Sequence, residues 1–123
     1  MSLSFKKWDL VLLAYPFTDL SATKVRPAVV ISPDSENGIL KDSVFLLITS
    51  NTSRQSSFDL FVDNTHPEFP ATGLLSRSAI RVNKIWTLHN SLVRRRLGKL
   101  GPQLQQAVST LLASYLDIPT PKP

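Results

Sequence analysis

The chain of 123 residues has no cysteine, two histidines and four glycines, and each shortage removes a chemistry. Without cysteine there are no disulfides, no thiolate metal sites and no cysteine nucleophile, and the redox compartment stays open. His66 and His89 fall on separate predicted loops with no motif around either, which disfavours a histidine acid–base pair. His66-Pro-Glu68 lacks the helical spacing of a metal site. Neither a glycine-rich phosphate loop nor a Gly-x-Ser-x-Gly elbow occurs. No apolar run approaches the roughly 18 residues that cross a bilayer. The opening Met1-Ser-Leu-Ser-Phe-Lys-Lys is followed by no small-residue cleavage site, and Asp9 interrupts the apolar stretch that reaches Ala14, so it does not read as a signal peptide. The expectation is a cytoplasmic protein with no membrane segment, no metal and no cofactor.

Acid is the most unevenly missing type. Residues 1–62 balance six Lys/Arg against six Asp/Glu, so the net charge of +5 comes entirely from residues 63–123. No Asp or Glu lies between Glu68 and Asp117, while Arg77, Arg81, Lys84, Arg94, Arg95, Arg96 and Lys99 all do. That distribution makes a candidate polyanion surface. A solvated basic face that only keeps the protein soluble would give the same pattern. Arg94-Arg95-Arg96 reads as a localisation-type patch or phosphate rail, or equally as a solvated run before the last helix.

What is present divides into short apolar runs and one helical stretch. Residues 9–15, 28–31 and 44–48 are mostly apolar and bounded by Pro, Asp, Ser or Asn, as core strands are. Residues 57–62 partly alternate. Residues 78–82 and 84–88 predict two further strands joined at a bend near Asn83. The loop 63–72, with two prolines, predicts no regular element. From Gly101-Pro102 the spacing turns helical, with Leu104, Val108, Leu111, Leu112, Tyr115 and Leu116 near one face and Pro102 in the first turn. Pro119, Pro121 and Pro123 stop that helix. The pattern implies one mainly β domain with helices (α+β) over residues 1–118, a small, strongly bent antiparallel sheet or partly open barrel closed by a C-terminal helix. A proline-rich tail occupies 119–123.

Two places carry more polarity than a core strand needs. Arg26-Pro27 puts a permanent cation at the mouth of the run Ala28 to Ile31, and Thr49 and Ser50 put two hydroxyls at the end of Val44 to Ile48. A guanidinium near hydroxyls suits stabilisation of a phosphate in transit. The plainer alternatives are an arginine that caps a strand end or pairs with Asp19 or Asp9, a Thr-Ser pair serving only as turn chemistry, and Tyr15 and Phe17 as core residues instead of base-stacking ones.

The loop Pro16-Phe-Thr-Asp-Leu20, Arg26-Pro-Ala-Val-Val-Ile31, Thr49-Ser50 and the segment 73–88 resemble the MazF/PemK-like toxin ribonucleases, over nearly the whole chain. The resemblance implies an SH3-like, CcdB-like barrel with helices and the toxin of a type II toxin–antitoxin pair. It implies cleavage of single-stranded RNA or mRNA without a metal, by the RNA's own 2′-hydroxyl. Arg26 and Thr49 would be catalytic with Ser50 ancillary. The loop residues Thr18, Asp19, Ser21, Thr23 and Lys24 would border the RNA, joined by Arg54, Arg77, Arg81 and Lys84. The partners implied are a second copy of the chain and a partly disordered, acidic and apolar antitoxin. Two departures stand out: the loop lacks the glycine of many relatives, and the usual Gly-Asp before the first strand is Trp8-Asp9. Two rival readings accompany this one. One is a CcdB-like toxin that poisons DNA gyrase by contact alone; the other is an inactive homologue that only binds nucleic acid.

Overall fold

The computed structural model describes residues 4–15, 24–37, 41–53 and 56–119. The first apolar run becomes strand β1 (Asp9–Tyr15), buried at six of its seven positions. A strand with one wet face must alternate, whereas one covered on both faces can be apolar throughout, which is why this run is continuous. Five more strands follow: β2 (Lys24–Val30), β3 (Asp42–Thr49), β4 (Asp59–Val62), β5 (Ser78–His89) and β6 (Val93–Lys99). They form an antiparallel sheet in the order β4-β5-β3-β2-β1-β6. Among the described residues no ladder joins β4 to β6. The sheet is therefore open, with two edges, and is not a closed barrel.

Each face of the sheet carries its own core. On one, Leu10, Val29, Leu46, Ile48 and Ile80 meet Leu104 and Val108 of helix α3 (Pro102–Leu116). On the other, Val11, Leu13, Tyr15, Ala28, Val30 and Phe45 pack together with Phe5 and Leu88 alongside. A buried aliphatic side chain contributes about 1.5–3 kcal/mol. Burial on both faces therefore makes the central strands the strongest part of the structure. Helix α3 buries less than its spacing predicts, because Tyr115 and Leu116 at its last turn are exposed. Tyr115 instead meets the edge of Phe58 at 5.1 Å between ring centroids.

The two strands predicted around Asn83 are one strand, β5. Its pairing with β3 jumps from Leu46 opposite Ile85 to Leu47 opposite Arg81, so residues 82–84 form a bulge at the expected bend. The segment 63–72 is not wholly irregular, for it contains a single helical turn, α2 (Phe69–Thr72), held by buried Phe69 and by the Thr72 hydroxyl donating to the Phe69 carbonyl at 2.6 Å. This turn lies against β6 so closely that a Cβ on Gly98 would stand 2.2 Å from the Ala71 carbonyl oxygen. Gly73, which ends the turn at φ +75°, is as tightly apposed to Leu97. A second short helix, α1 (Asp34–Asn37), is tied in by polar groups. The Asn37 side chain accepts from Ser32, and the Ser43 hydroxyl, 3.1 Å from the same oxygen, donates to Asn90 at 2.7 Å.

Candidate active site

Pro27 shapes the site before any chemistry is considered. A proline has no N–H to give to a neighbouring strand. The ladder between β2 and β3 accordingly covers only Ala28, Val29 and Val30, opposite Leu47, Leu46 and Phe45. Among the described residues no pair is formed beyond it, and continuing the same register by two residues would set Arg26 across from Thr49. In that register a cation and a hydroxyl flank the gap that Pro27 leaves at the end of the ladder.

Strand alternation then sorts the neighbours. Arg26 and Thr49 fall on the sheet face of Tyr15 and Phe45, and Ser50 falls with Ile48 on the other. Ile48 and Ser50 line a cleft of about 500 Å³, also bordered by Arg26, while Thr49 does not. Arg26 is half-buried and Ser50 exposed. The Thr49 Oγ1 accepts the Asn51 N–H at 3.1 Å, which is the turn chemistry expected of it. That bond uses an oxygen lone pair, so the hydroxyl proton remains available to donate to a phosphate oxygen.

Tyr15 completes the group. It is fully buried, and its phenol donates to the Pro27 carbonyl at 3.0 Å while its ring meets the edge of Trp86 at 6.0 Å between centroids. Burial pushes the phenol far above its ordinary range, and the Arg26 charge pulls it partly back. Tyr15 therefore stays a neutral donor that fixes the Pro27-Ala28 peptide, next to Arg26, with the guanidinium close enough to be felt. The sequence left Tyr15 open between core and stacking; it is core, with a polar tip. Asp9 is not the partner of Arg26. Its buried carboxylate holds Arg96 at 3.1 Å and accepts the Lys6 N–H at 2.9 Å.

The expected RNA-contacting residues are spread out. Arg81 is half-buried on β5, opposite Leu47 on one side and Asp59 on the other, and so lies on the face of Thr49. Lys84 is exposed within the bulge. Arg77 stacks over the Phe61 ring at 4.7 Å, and its charge contributes to holding the Asp63 carboxyl below the usual range, after two hydrogen bonds from Thr65. Thr18, Asp19, Ser21, Thr23 and Arg54 lie outside the described residues, as does the side chain of Lys24. Arg95 and Arg96, on β6, border the same cleft as Arg26. The arginine triplet is thus an exposed edge strand next to the site, and not merely a run leading into the last helix.

Four residues have roles that sequence reasoning did not assign. Glu68 caps α3 from far away, its two carboxylate oxygens accepting the N–H groups of Gln103 and Leu104 at 2.9 and 2.8 Å. His66 accepts the Glu68 N–H on Nδ1 at 3.0 Å, and His89 accepts that of Ser91 at the same distance. Trp8 takes φ +74°, a left-handed conformation that suits glycine and costs another residue about 1–2 kcal/mol. The departure from Gly-Asp at this point is therefore a departure in strain. Its one local signal was the unexpected residue itself.

A family model for the PemK-like, MazF-like toxin of type II toxin–antitoxin systems matches residues 6–116, and the chain belongs to that family. No curated protein matches the chain by sequence. Among solved structures, MazF from Deinococcus radiodurans superposes with a TM-score of 0.73 at 22% identity, over 93% of this chain and 97% of that one. The Mycobacterium tuberculosis toxin MazF-mt6 gives 0.73 at 17% identity, over 91% and 99%. A mycobacterial protein described as an endoribonuclease in complex with its cognate antitoxin gives 0.71 at 20% identity, over 96% and 100%. At these identities the solved structures establish a shared fold. Among the described residues no helix is long and apolar enough to cross a membrane, and no three acidic or histidine side chains gather as metal ligands.

Proposed function

We propose that this toxin-family protein is an endoribonuclease that cuts single-stranded RNA by transesterification, with Arg26 and Thr49 as its catalytic pair. The observation that carries the reading is the β2–β3 register, which ends at Ala28 opposite Leu47 and, continued past Pro27, sets Arg26 across from Thr49. In the reaction the RNA 2′-oxygen forms a new bond to phosphorus and the bond to the 5′-oxygen breaks. The proton lost by the 2′-hydroxyl is balanced by one taken up at the leaving 5′-oxygen. The products are a 2′,3′-cyclic phosphate and a 5′-hydroxyl. As negative charge grows on the nonbridging oxygens, the Arg26 fork gives paired charge-assisted hydrogen bonds and Thr49 gives a neutral one. Arg26 is not the base, since a group of pKa above about 12 does not accept a proton near neutrality. Ser50, on the cleft side, meets a flanking nucleotide. The reading includes a homodimer acting in the cytoplasm and silenced by an antitoxin, which family membership supports.

The test is incubation of the purified protein with mixed-sequence RNA, with and without chelator, followed by analysis of the ends. Cyclic phosphate and 5′-hydroxyl ends that persist in chelator are the expected result. Dependence on added metal, or 5′-phosphate ends, would overturn the mechanism. Growth arrest undiminished in Arg26→Ala cells at matched expression would instead favour a toxin that acts by contact with a protein such as gyrase.

A further inference from the structure

A second cleft, of about 490 Å³, opens at the other end of β1 between residues 4–9 and 96–105. Trp8, Lys6, Lys7, Arg96 and Lys99 line it, with the carboxylates of Asp9 and Asp34. Both carboxylates are already engaged, Asp9 by Arg96 and the Lys6 N–H, and Asp34 by the Lys7 N–H at 2.6 Å. Among the described residues Lys6, Lys7 and Lys99 have no acidic partner, so the cleft holds uncommitted positive charge. Its wall includes Trp8, the one aromatic residue with a positive φ among the described residues. The Trp8 N–H donates to Val30 and its carbonyl accepts from Leu100, and these two bonds hold the left-handed conformation in place. The indole is half-buried, with the Lys7 ammonium 5.2 Å from its ring centroid. Arg96 borders this cleft and the one at Arg26, so the two are contiguous across β6.

We propose that this cleft is a second subsite for single-stranded RNA, taking a nucleotide that flanks the one being cut, with its base on Trp8 and its phosphates among Lys6, Lys7 and Lys99. It rests on the ribonuclease reading above and extends the RNA path along β6 from Arg26 through Arg96. A base entering the cleft takes the place of the Lys7 ammonium on the ring, and the ammonium turns to the phosphate. An aromatic face is needed because stacking accepts any base, whereas lysines on flexible stems follow the backbone.

The subsite predicts a dependence on RNA length. Fluorescence anisotropy with 2′-O-methyl oligonucleotides, which lack the internal nucleophile, would compare chains of about three and about twelve nucleotides, the longer within the usual span of such grooves. Lys7→Gln with Lys99→Gln should weaken the longer probe about 10-fold at low salt and reduce its salt slope by about 1.4, at about 0.7 per phosphate contact. The short probe should shift less than about twofold. Trp8→Leu, which keeps an apolar side chain against the core, should also cost the longer probe about 10-fold, and Trp8→Phe should restore most of it. Unchanged affinity for the longer probe in the lysine pair and in Trp8→Leu overturns the subsite, as does an equal loss on both lengths. If these variants instead weaken binding of a polyglutamate peptide and leave RNA untouched, the cleft docks an acidic protein segment and the proposal falls. Cleavage by the wild type is scored separately. Cutting with normal binding in the variants removes the subsite alone, while length-dependent binding through Trp8 without cutting removes the nuclease reading alone.

Discussion

At the scale of single residues, the site turns on what a guanidinium gives that a hydroxyl does not. Arg26 offers a charged, planar fork, and Thr49 offers one neutral donor whose oxygen is already tied to Asn51. Arg26→Ala should therefore lower kcat about 10²–10³-fold and Thr49→Ala less, with Arg26→Lys recovering only part of the loss because a point charge cannot bond in parallel. Single-turnover cleavage of a defined RNA measures all three; a larger loss at Thr49 than at Arg26 would reverse their roles. Tyr15 gives a second prediction. Its phenol is raised by burial, so below pH about 10 it is neutral in both folded and unfolded chains and has no effect on the pH dependence of stability. Above that pH the unfolded chain loses the proton while the folded one keeps it, and stability should fall by up to about 1.4 kcal/mol per pH unit. Urea denaturation between pH 9 and 11 would show the decline, and Tyr15→Phe should reduce it. The same variant also removes the bond to Pro27, at a cost of about 1 kcal/mol near neutrality.

At the scale of elements, α3 depends on a residue more than thirty positions upstream. Glu68 supplies both acceptors for the first free N–H groups of the helix, where no local side chain does so. Glu68→Ala should cost about 1–2 kcal/mol, with Glu68→Gln recovering part of it, read as a shift in the urea midpoint at constant slope. A loss under about 0.3 kcal/mol would mean that water caps the helix equally well. This contact was illegible in the sequence because capping rules look three residues ahead, not thirty. The strands differ in the same way. β1 and β3 announced themselves because burial on both faces demands unbroken apolar runs. β6 did not: as an edge strand rich in exposed arginine it has no apolar period, and its pairing with β1 skips Arg94 and Leu97. The turn α2 escaped because Pro67 just before it and Pro70 within it read as loop. Arg26 and Thr49 were legible one by one, but their register was not, since it follows from a ladder that ends at Pro27.

At the scale of the whole molecule, the charge excess seen in the sequence has a place. Arg95 and Arg96 border the cleft beside Arg26, and Arg94 stands exposed on the same edge strand. If this edge steers RNA toward the site, binding should weaken steeply with salt, because each phosphate contact releases counterions. Neutralising all three arginines would confuse the result, since Arg96 also holds the buried Asp9 carboxylate, and stranding that charge would destabilise the fold. The cleaner variant is Arg94→Gln with Arg95→Gln. It should raise KM for a long RNA and reduce the salt slope by about 1.4, for two contacts at about 0.7 each. Its kcat at saturating RNA should fall far less than that of Arg26→Ala, because steering acts before the phosphate reaches the Arg26–Thr49 gap. Initial rates across a salt series decide the matter. An unchanged slope would make the edge a solvated face, and a collapse of kcat with KM intact would move the chemistry from the β2–β3 gap to β6.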